Sequence, residues 1–201
     1  MTRSERVFNF AVGLSLVSWS VLGIATSIPE ERTTVTRLCI SLINLAAGLL
    51  FIVRSPLVTR SSISAHVPAV ASLLSGGLAF KFSYPLHLWP IHAQIMFAIG
   101  TLVALVSILY LGRYFAVLPA YRGIVTGGPY RFVRHPVYAG ELMMILGCTL
   151  AGTYIISACV FACAATLTVL RIRAEEDFLG RFSSYGEYAE QVSCRLLPGL
   201  W

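Results

Sequence analysis

Apolar residues fall in long blocks separated by short polar breaks. A bilayer core of about 30 Å takes about 20 apolar residues as helix, and the blocks are near that size. Val7 to Ile28 gives the first span. The basic flank 1–6 invites comparison with a signal peptide, but the run has 22 residues. A signal core has about 7–15, so the sequence predicts a retained helix. Leu38 to Val53 gives the second span. Val67 to about Phe80 gives the third and weakest, short and carrying Pro68, Gly76 and Gly77. Ile91 to Leu111 gives the fourth. Val137 to Leu170 runs 34 residues without a basic side chain, with Gly152-Thr153 near its middle. That length predicts a tight hairpin, helices five and six, with each arm rather short. The pattern therefore predicts an all-α integral membrane bundle of about six transmembrane helices. We read 1–201 as a single membrane domain, with four spans in 1–111 and the remainder in 112–201.

Composition narrows the class further. Charged residues make up 12% of the 201 and hydrophobic ones 57%. Soluble domains carry about 25% charged residues, so this chain could not cover a water-facing surface. Disorder is excluded by the same apolar excess. The net charge of +6 comes from 15 basic against 9 acidic residues, and 14 of the 15 are Arg. These cations sit between apolar runs, which points to topology and membrane lipids rather than nucleic acid. With the N-terminus inside, Arg3, Arg6, Arg54, Arg60, Arg113, Arg122, Arg131, Arg134, Arg171, Arg173, Arg181 and Arg195 are cytoplasmic. Arg32, Arg37 and Lys81 are outside. Twelve against three predicts both termini on the cytoplasmic side. Cys39, Cys148, Cys159, Cys163 and Cys194 show no ligand spacing. The first four lie in apolar stretches and read as small buried hydrophobes.

Two segments are more than connectors. Gly112 to Pro136 reads GRYFAVLPAYRGIVTGGPYRFVRHP, with four Arg, five aromatics and three Pro. The tail from Arg171 to Trp201 holds Glu175, Glu176, Asp177, Glu187 and Glu190, five of the nine acids. Both are cytoplasmic in this topology, so they can meet. Gly127-Gly128-Pro129 is a turn signal. Pro136 suits the first turn of helix five and pushes His135 toward an extended conformation. Arg134-His135 then sits at a helix mouth suited to a carboxylate or phosphate. Equally, these Arg residues can simply follow the positive-inside bias and touch lipid phosphates. Glu141, one turn inside the span, is a functional candidate or a cap and pairing residue of this helix start.

The tail opens as a helical continuation, RIRAEEDFLGRF. Arg171 with Glu175, and Arg173 with Asp177, are i,i+4 pairs. Position 172 is Ile, so Glu176 lacks a basic i−4 partner. It reads as the acid freest to face a ligand. His66, His87 and His92 form no ligand set, and no metal site is predicted. There is no GxSxG, Walker loop or Rossmann glycine pattern after a strand.

The string GPYRFVRHPVYAGE, then a hydrophobic hairpin, then RIxxEE with spaced Leu, Phe and Tyr and a late Arg and Pro, resembles the isoprenylcysteine carboxyl methyltransferase family. That family belongs to a wider superfamily with phosphatidylethanolamine N-methyltransferases. The resemblance covers about 112–201. It implies S-adenosylmethionine as cofactor, held without a Rossmann fold in a cytoplasmic site built from the loop before helix five and the tail. It implies cofactor-binding roles for Gly128, Pro129, Tyr130, His135, Tyr138, Gly140, Glu175 and Glu176. Arg134, Glu141 and Arg195 are the catalytic candidates, with Arg195 matching a clamp for an acceptor carboxylate. Where the family often has RVP, this chain has Arg195-Leu196-Leu197-Pro198. Tyr130, Phe132 and Tyr138 suit adenine or a sulfonium through cation–π attraction. The implied reaction is methyl transfer to a lipophilic acceptor, a prenylcysteine-type carboxylate first. Alternatives are N-methylation of an aminophospholipid or S-methylation of a small thiol. Sterol reductases carry a similar basic-His, Tyr and Gly cluster, so an NADPH-dependent membrane reductase is a competing reading. A scaffold or transporter is a third, disfavoured by spans lacking central charge.

Overall fold

The computed structural model describes residues 3–26, 35–199 and 201. Seven helices follow in chain order: α1 (Arg3–Ala25), α2 (Val35–Val53), α3 (Ile63–Lys81), α4 (Ile91–Leu111), α5 (Pro136–Leu150), α6 (Tyr154–Leu179) and α7 (Ser183–Gln191). Five of them, α1 to α4 and α6, are long and apolar enough to cross a membrane. At 15 residues, α5 is about 22 Å long, short of the ~30 Å core. The expected six spans are therefore five full-length helices and one short arm.

Helix ends depart from the apolar blocks for local reasons. α1 begins at Arg3 because its polar first turn is still helical, with Glu5 placed where the helix dipole favours an acid. Ile28 and Arg32 lie outside the described residues. α3 begins at Ile63, before the apolar block, through Ser64 and His66, and carries Pro68 inside it. The hairpin breaks at 151–153, as Gly152-Thr153 predicts. The nine-residue α7 is too polar to register as an apolar block. One exception to the all-helical pattern is a short antiparallel pair, β1 (Thr59–Arg60) with β2 (Ala120–Tyr121).

Small residues set the helix packing, as expected where lipid gives no hydrophobic drive between helices. α1 and α2 meet at Gly13 and Gly48, where a Cβ on Gly13 would stand 2.6 Å from the Gly48 carbonyl. α4 and α5 meet at Gly100, Ala104 and Gly140. α5 lies between α4, α6 and α3, and α2 packs on α1 and α4. On one face of the bundle, Tyr84 N–H donates to the Ala151 carbonyl at 2.8 Å. On the other face, the α2–α3 connection, the 112–135 segment and the tail converge. There Arg122 pairs with Glu5 at 3.2 Å and donates to the Ser55 carbonyl, while Arg54 donates to Asn9. Both described ends of the chain therefore lie on this face.

Candidate functional site

The 3-10 turn Gly128–Arg131 precedes α5, and Gly128 takes φ 59° there with the Tyr110 ring against it. A side chain at that φ is strained and would also strike the ring. Tyr130 is buried behind the turn, its hydroxyl donating to the Ser107 carbonyl at 3.4 Å. Pro136 opens α5, and His135 caps it at φ −125°, ψ 56°. The tail then runs beside this entry. Arg134 N–H donates to the Cys194 carbonyl and His135 N–H to the Arg195 carbonyl, both at 2.9 Å. Tyr188 on α7 donates to the Tyr130 carbonyl at 2.8 Å. Two segments far apart in sequence are thus joined through backbone.

Their side chains form two adjacent clusters. Glu176 sits at the centre of the first. It meets Arg134 Nε at 2.9 Å, His135 Nε2 at 3.2 Å and Arg195 Nε at 2.7 Å. The Tyr185 hydroxyl donates to it at 3.2 Å. Sequence spacing marks Glu176 as the freest acid; in the structure it is the most engaged, because its partners come from other elements. The second cluster is Arg171, Glu141 and Tyr138. Arg171 Nη1 lies 3.1 Å from Glu141 Oε2, its Nη2 donates to the Val117 carbonyl at 2.9 Å, and its guanidinium stands 4.3 Å over the Tyr138 ring. The expected Arg171–Glu175 pair is replaced by this inter-helix pair.

Glu175 lies between the clusters. The Tyr138 hydroxyl donates to it at 2.5 Å, and His135 Nδ1 is 4.0 Å away. Among the described residues, Glu175 is the acid of the three with no arginine in salt-bridge contact. His135 and Tyr138 stack with centroids 5.4 Å apart and planes 7° apart. Burial raises the phenols of Tyr130, Tyr185 and Tyr188 above the usual tyrosine range, that of Tyr188 to about 12. Near neutral pH they are uncharged walls.

These groups border a cavity of about 240 Å³. Arg134, His135, Tyr138, Glu141, Arg171 and Glu175 face it, together with Tyr130, Tyr185 and Tyr188. The 112–125 segment covers it with Tyr114, Phe115, Val117 and Ile124 among others. The rest of the wall is apolar and reaches α2 and α3.

Several residues singled out by sequence stand elsewhere. Gly140 faces α4, where an added Cβ would lie 2.6 Å from Ala104 N. It serves helix packing and is not on the cavity wall. Gly128 and Pro129 shape the turn behind Tyr130 without bordering the cavity. Glu176 and Arg195 stand behind the wall and position His135 and Arg134. The Arg195 side chain is 35% exposed and lies against Trp201. Phe132 points outward at 70% exposure. Sequence reasoning missed Arg171 as a wall residue, and missed Tyr185 and Tyr188. A charged residue closing an apolar run was the available signal for Arg171. Among the described residues, no group of three or more His, Cys, Asp or Glu is placed to hold a metal ion.

Residues 89–187 match the family described as phospholipid methyltransferase. Protein-S-isoprenylcysteine O-methyltransferase A of Arabidopsis thaliana is 36% identical over 107 residues, which is 49% of this chain and 54% of that protein. The chain thus spans about half the length of this curated relative. Both similarities bear out the resemblance to the isoprenylcysteine carboxyl methyltransferase family and its phospholipid-methylating superfamily.

Proposed function

From that resemblance, we propose that this protein transfers a methyl group from S-adenosylmethionine to a lipophilic acceptor at the membrane, a prenylcysteine-type carboxylate in the first instance. One observation carries the reading. Glu175, with no arginine in salt-bridge contact among the described residues, faces a cavity that is polar at one end and apolar at the other. A small cationic ligand and a lipophilic one would each find a matching end.

The donor set fits S-adenosylmethionine. Glu175 suits its ammonium or ribose hydroxyls. Tyr130, Tyr185 and Tyr188 border the cavity beside adenine or the sulfonium, where cation–π attraction contributes ~0.5–2 kcal/mol. When bound, the cofactor supplies an electrophilic methyl group. The chain's own residues bind, orient and dry the site. Glu176 holds His135 and Arg134 from behind. Arg134 and Arg171 are the cations on the wall, and Arg134 is the family-matched one placed to meet an acceptor carboxylate. Arg195 acts through Glu176. A carboxylate acceptor is ionised near neutral pH and needs no base. The work is then alignment and water exclusion, with the 112–125 segment as cover. An amine or thiol acceptor would have to lose a proton, and Glu141 or His135 on the wall would take it.

The positive-inside bias supports a cytoplasmic placement for this face and both termini. Within the single domain, 112–201 carries the chemistry and the earlier spans shape the acceptor's surroundings. Isothermal titration of the detergent-purified protein with S-adenosylhomocysteine, with NADPH in parallel, tests the reading. Saturable binding of S-adenosylhomocysteine alone is expected. Binding of NADPH alone would overturn it in favour of a reductase.

A further inference from the structure

We propose that the first turn of α1 latches the cover of the cavity, with Glu5 and Arg122 as positioning residues that set how fast the methyl donor and its product exchange with water. This rests on the reading that the polar end of the cavity takes S-adenosylmethionine.

Glu5 stands in the first turn of α1, outside the segment that matches the methyltransferase family, and Arg122 stands inside that segment. One carboxylate oxygen of Glu5 serves two elements. Its Oε1 accepts from Leu57 N–H of the α2–α3 connection at 3.3 Å and from Arg122 Nη2 of the cover at 3.2 Å. Arg122 also donates to the Ser55 carbonyl, while Ser55 N–H donates to the Arg113 carbonyl at 2.7 Å. The connection is thus held between α1 and the cover. Arg122 is buried yet does not border the cavity; its neighbours Ala120, Gly123 and Ile124 do. Any movement of Arg122 away from Glu5 therefore carries cavity wall with it.

Three features make this contact a latch and not a permanent rivet. β1 and β2 pair over two residues each, and a two-stranded ribbon of that size does not hold itself closed. Closure therefore depends on side chains: Arg122 on one edge of the cover, and on the other Tyr121, whose ring stacks on Phe182 at 3.9 Å with planes 7° apart. The ends of the cover are loosely packed. Gly112 holds φ 49°, and an added Cβ there or on Gly127 would meet nothing within 4 Å. The closed state also leaves a need unmet, since Arg122 Nε is buried and, among the described residues, has no hydrogen-bond partner. Opening returns that N–H to water, which offsets part of the loss of the Glu5 pair. Burial, and then the charge of Arg122, bring the neighbouring Arg54 guanidinium down to about 10, so release also separates two like charges. A water-soluble donor cannot reach Glu175 through the apolar spans, and lifting the cover gives it a route.

The experiment uses the full chain in detergent micelles and two readouts, amide hydrogen exchange without ligand and the dissociation rate of S-adenosylhomocysteine by surface plasmon resonance. Glu5→Gln and Arg122→Gln are each expected to speed exchange of the 113–125 amides at least about tenfold, with α4 and α5 amides kept within about twofold. Each is expected to raise the dissociation rate at least about tenfold, the scale of one lost charge-assisted hydrogen bond. The double variant should exceed either single one by no more than about twofold, because both remove the same contact. Arg122→Lys keeps the charge and should stay within about threefold of wild type. Unchanged exchange of the cover in both Gln variants would overturn the proposal. So would faster exchange spread equally over α4 and α5, or a faster cover with an unchanged dissociation rate. Gln variants that fail to fold beside a normal Arg122→Lys would make the pair a staple of the bundle, and would overturn it too. Wild-type protein that binds no S-adenosylhomocysteine would instead overturn the methyltransferase reading, while the ligand-free exchange still decides whether Glu5 holds the cover.

Discussion

Arg195 Nε lies 2.7 Å from Glu176 Oε2 across 19 positions of chain, so the tail closes back onto α6 through one carboxylate. That carboxylate also meets Arg134 and His135. Two guanidinium groups and an imidazole therefore depend on a single side chain.

Removing that side chain's charge should cost more than removing any one partner. Glu176→Gln leaves Arg134, with its side chain 8% exposed, facing no counter-charge. Breaking a buried pair costs about 3–5 kcal/mol, so a fall in melting temperature of roughly 6–20 °C is expected. Arg195→Ala removes a partner that is 35% exposed, and a fall of roughly 2–4 °C follows from about 1 kcal/mol. Differential scanning fluorimetry gives the order. Arg195→Ala being the more damaging change would contradict this account of the network.

Glu175→Gln should behave differently from its neighbour. It should leave thermal stability nearly unchanged and weaken S-adenosylhomocysteine binding. Losing a hydrogen bond to a charged group, about 1.5–3 kcal/mol, corresponds to roughly ten- to a hundredfold in affinity. Titration calorimetry on the pair of variants separates binding from scaffolding. An affinity equal to wild type would remove Glu175 from the cofactor site.

Glycine substitutions test the α4–α5 contact. Gly140→Ala puts a Cβ 2.6 Å from Ala104 N, whereas a Cβ at Gly77 meets nothing within 4 Å. Overpacking at Gly140 should destabilise by about 1–3 kcal/mol. Gly77→Ala should be neutral or stabilise by up to about 1 kcal/mol, since alanine is the better helix former. Equal melting curves for the two variants would mean that the helices are not in such close contact.

Alkaline titration tests the aromatic wall. Burial holds the Tyr188 phenol at about 12 in the folded protein, against about 10 for an unperturbed tyrosine. The unfolded chain therefore loses this proton first. Stability owed to Tyr188 is fully present below about pH 10 and is lost as pH rises toward 12. Tyr130 and Tyr185 shift in the same direction. The melting temperature should fall over that window, and phenolate absorbance should lag behind that of free tyrosine. A flat melting temperature from pH 9 to 11 would place these phenols in water.

The spans were legible because each apolar block reports its own surroundings. Pro136 and Gly152-Thr153 marked both ends of α5 for reasons of backbone chemistry alone. The site was legible as two segments rich in charge and aromatics, and not as pairings. Spacing along one helix assigned Arg171 to Glu175, while the fold gives Arg171 to Glu141, 30 positions away. The same local logic left Glu176 free, since Arg134, His135 and Arg195 approach it from outside α6. Tyr138 and Gly140 are two residues apart, about 200° around a helix. They cannot face the same cavity, and tertiary packing decides which one does.

On the proposed function, the short α5 also fixes the depth at which the chemistry would take place. Its 15 residues start from the hairpin turn at 151–153. With that turn at one headgroup layer, the His135 end stops about 8 Å short of the other, since α5 reaches about 22 Å into a ~30 Å core. The reacting groups then lie in a depression beneath the membrane surface. The proposed lipid acceptor, anchored in that leaflet, would present its polar end without rising into water, and the proposed water-soluble donor would make the descent.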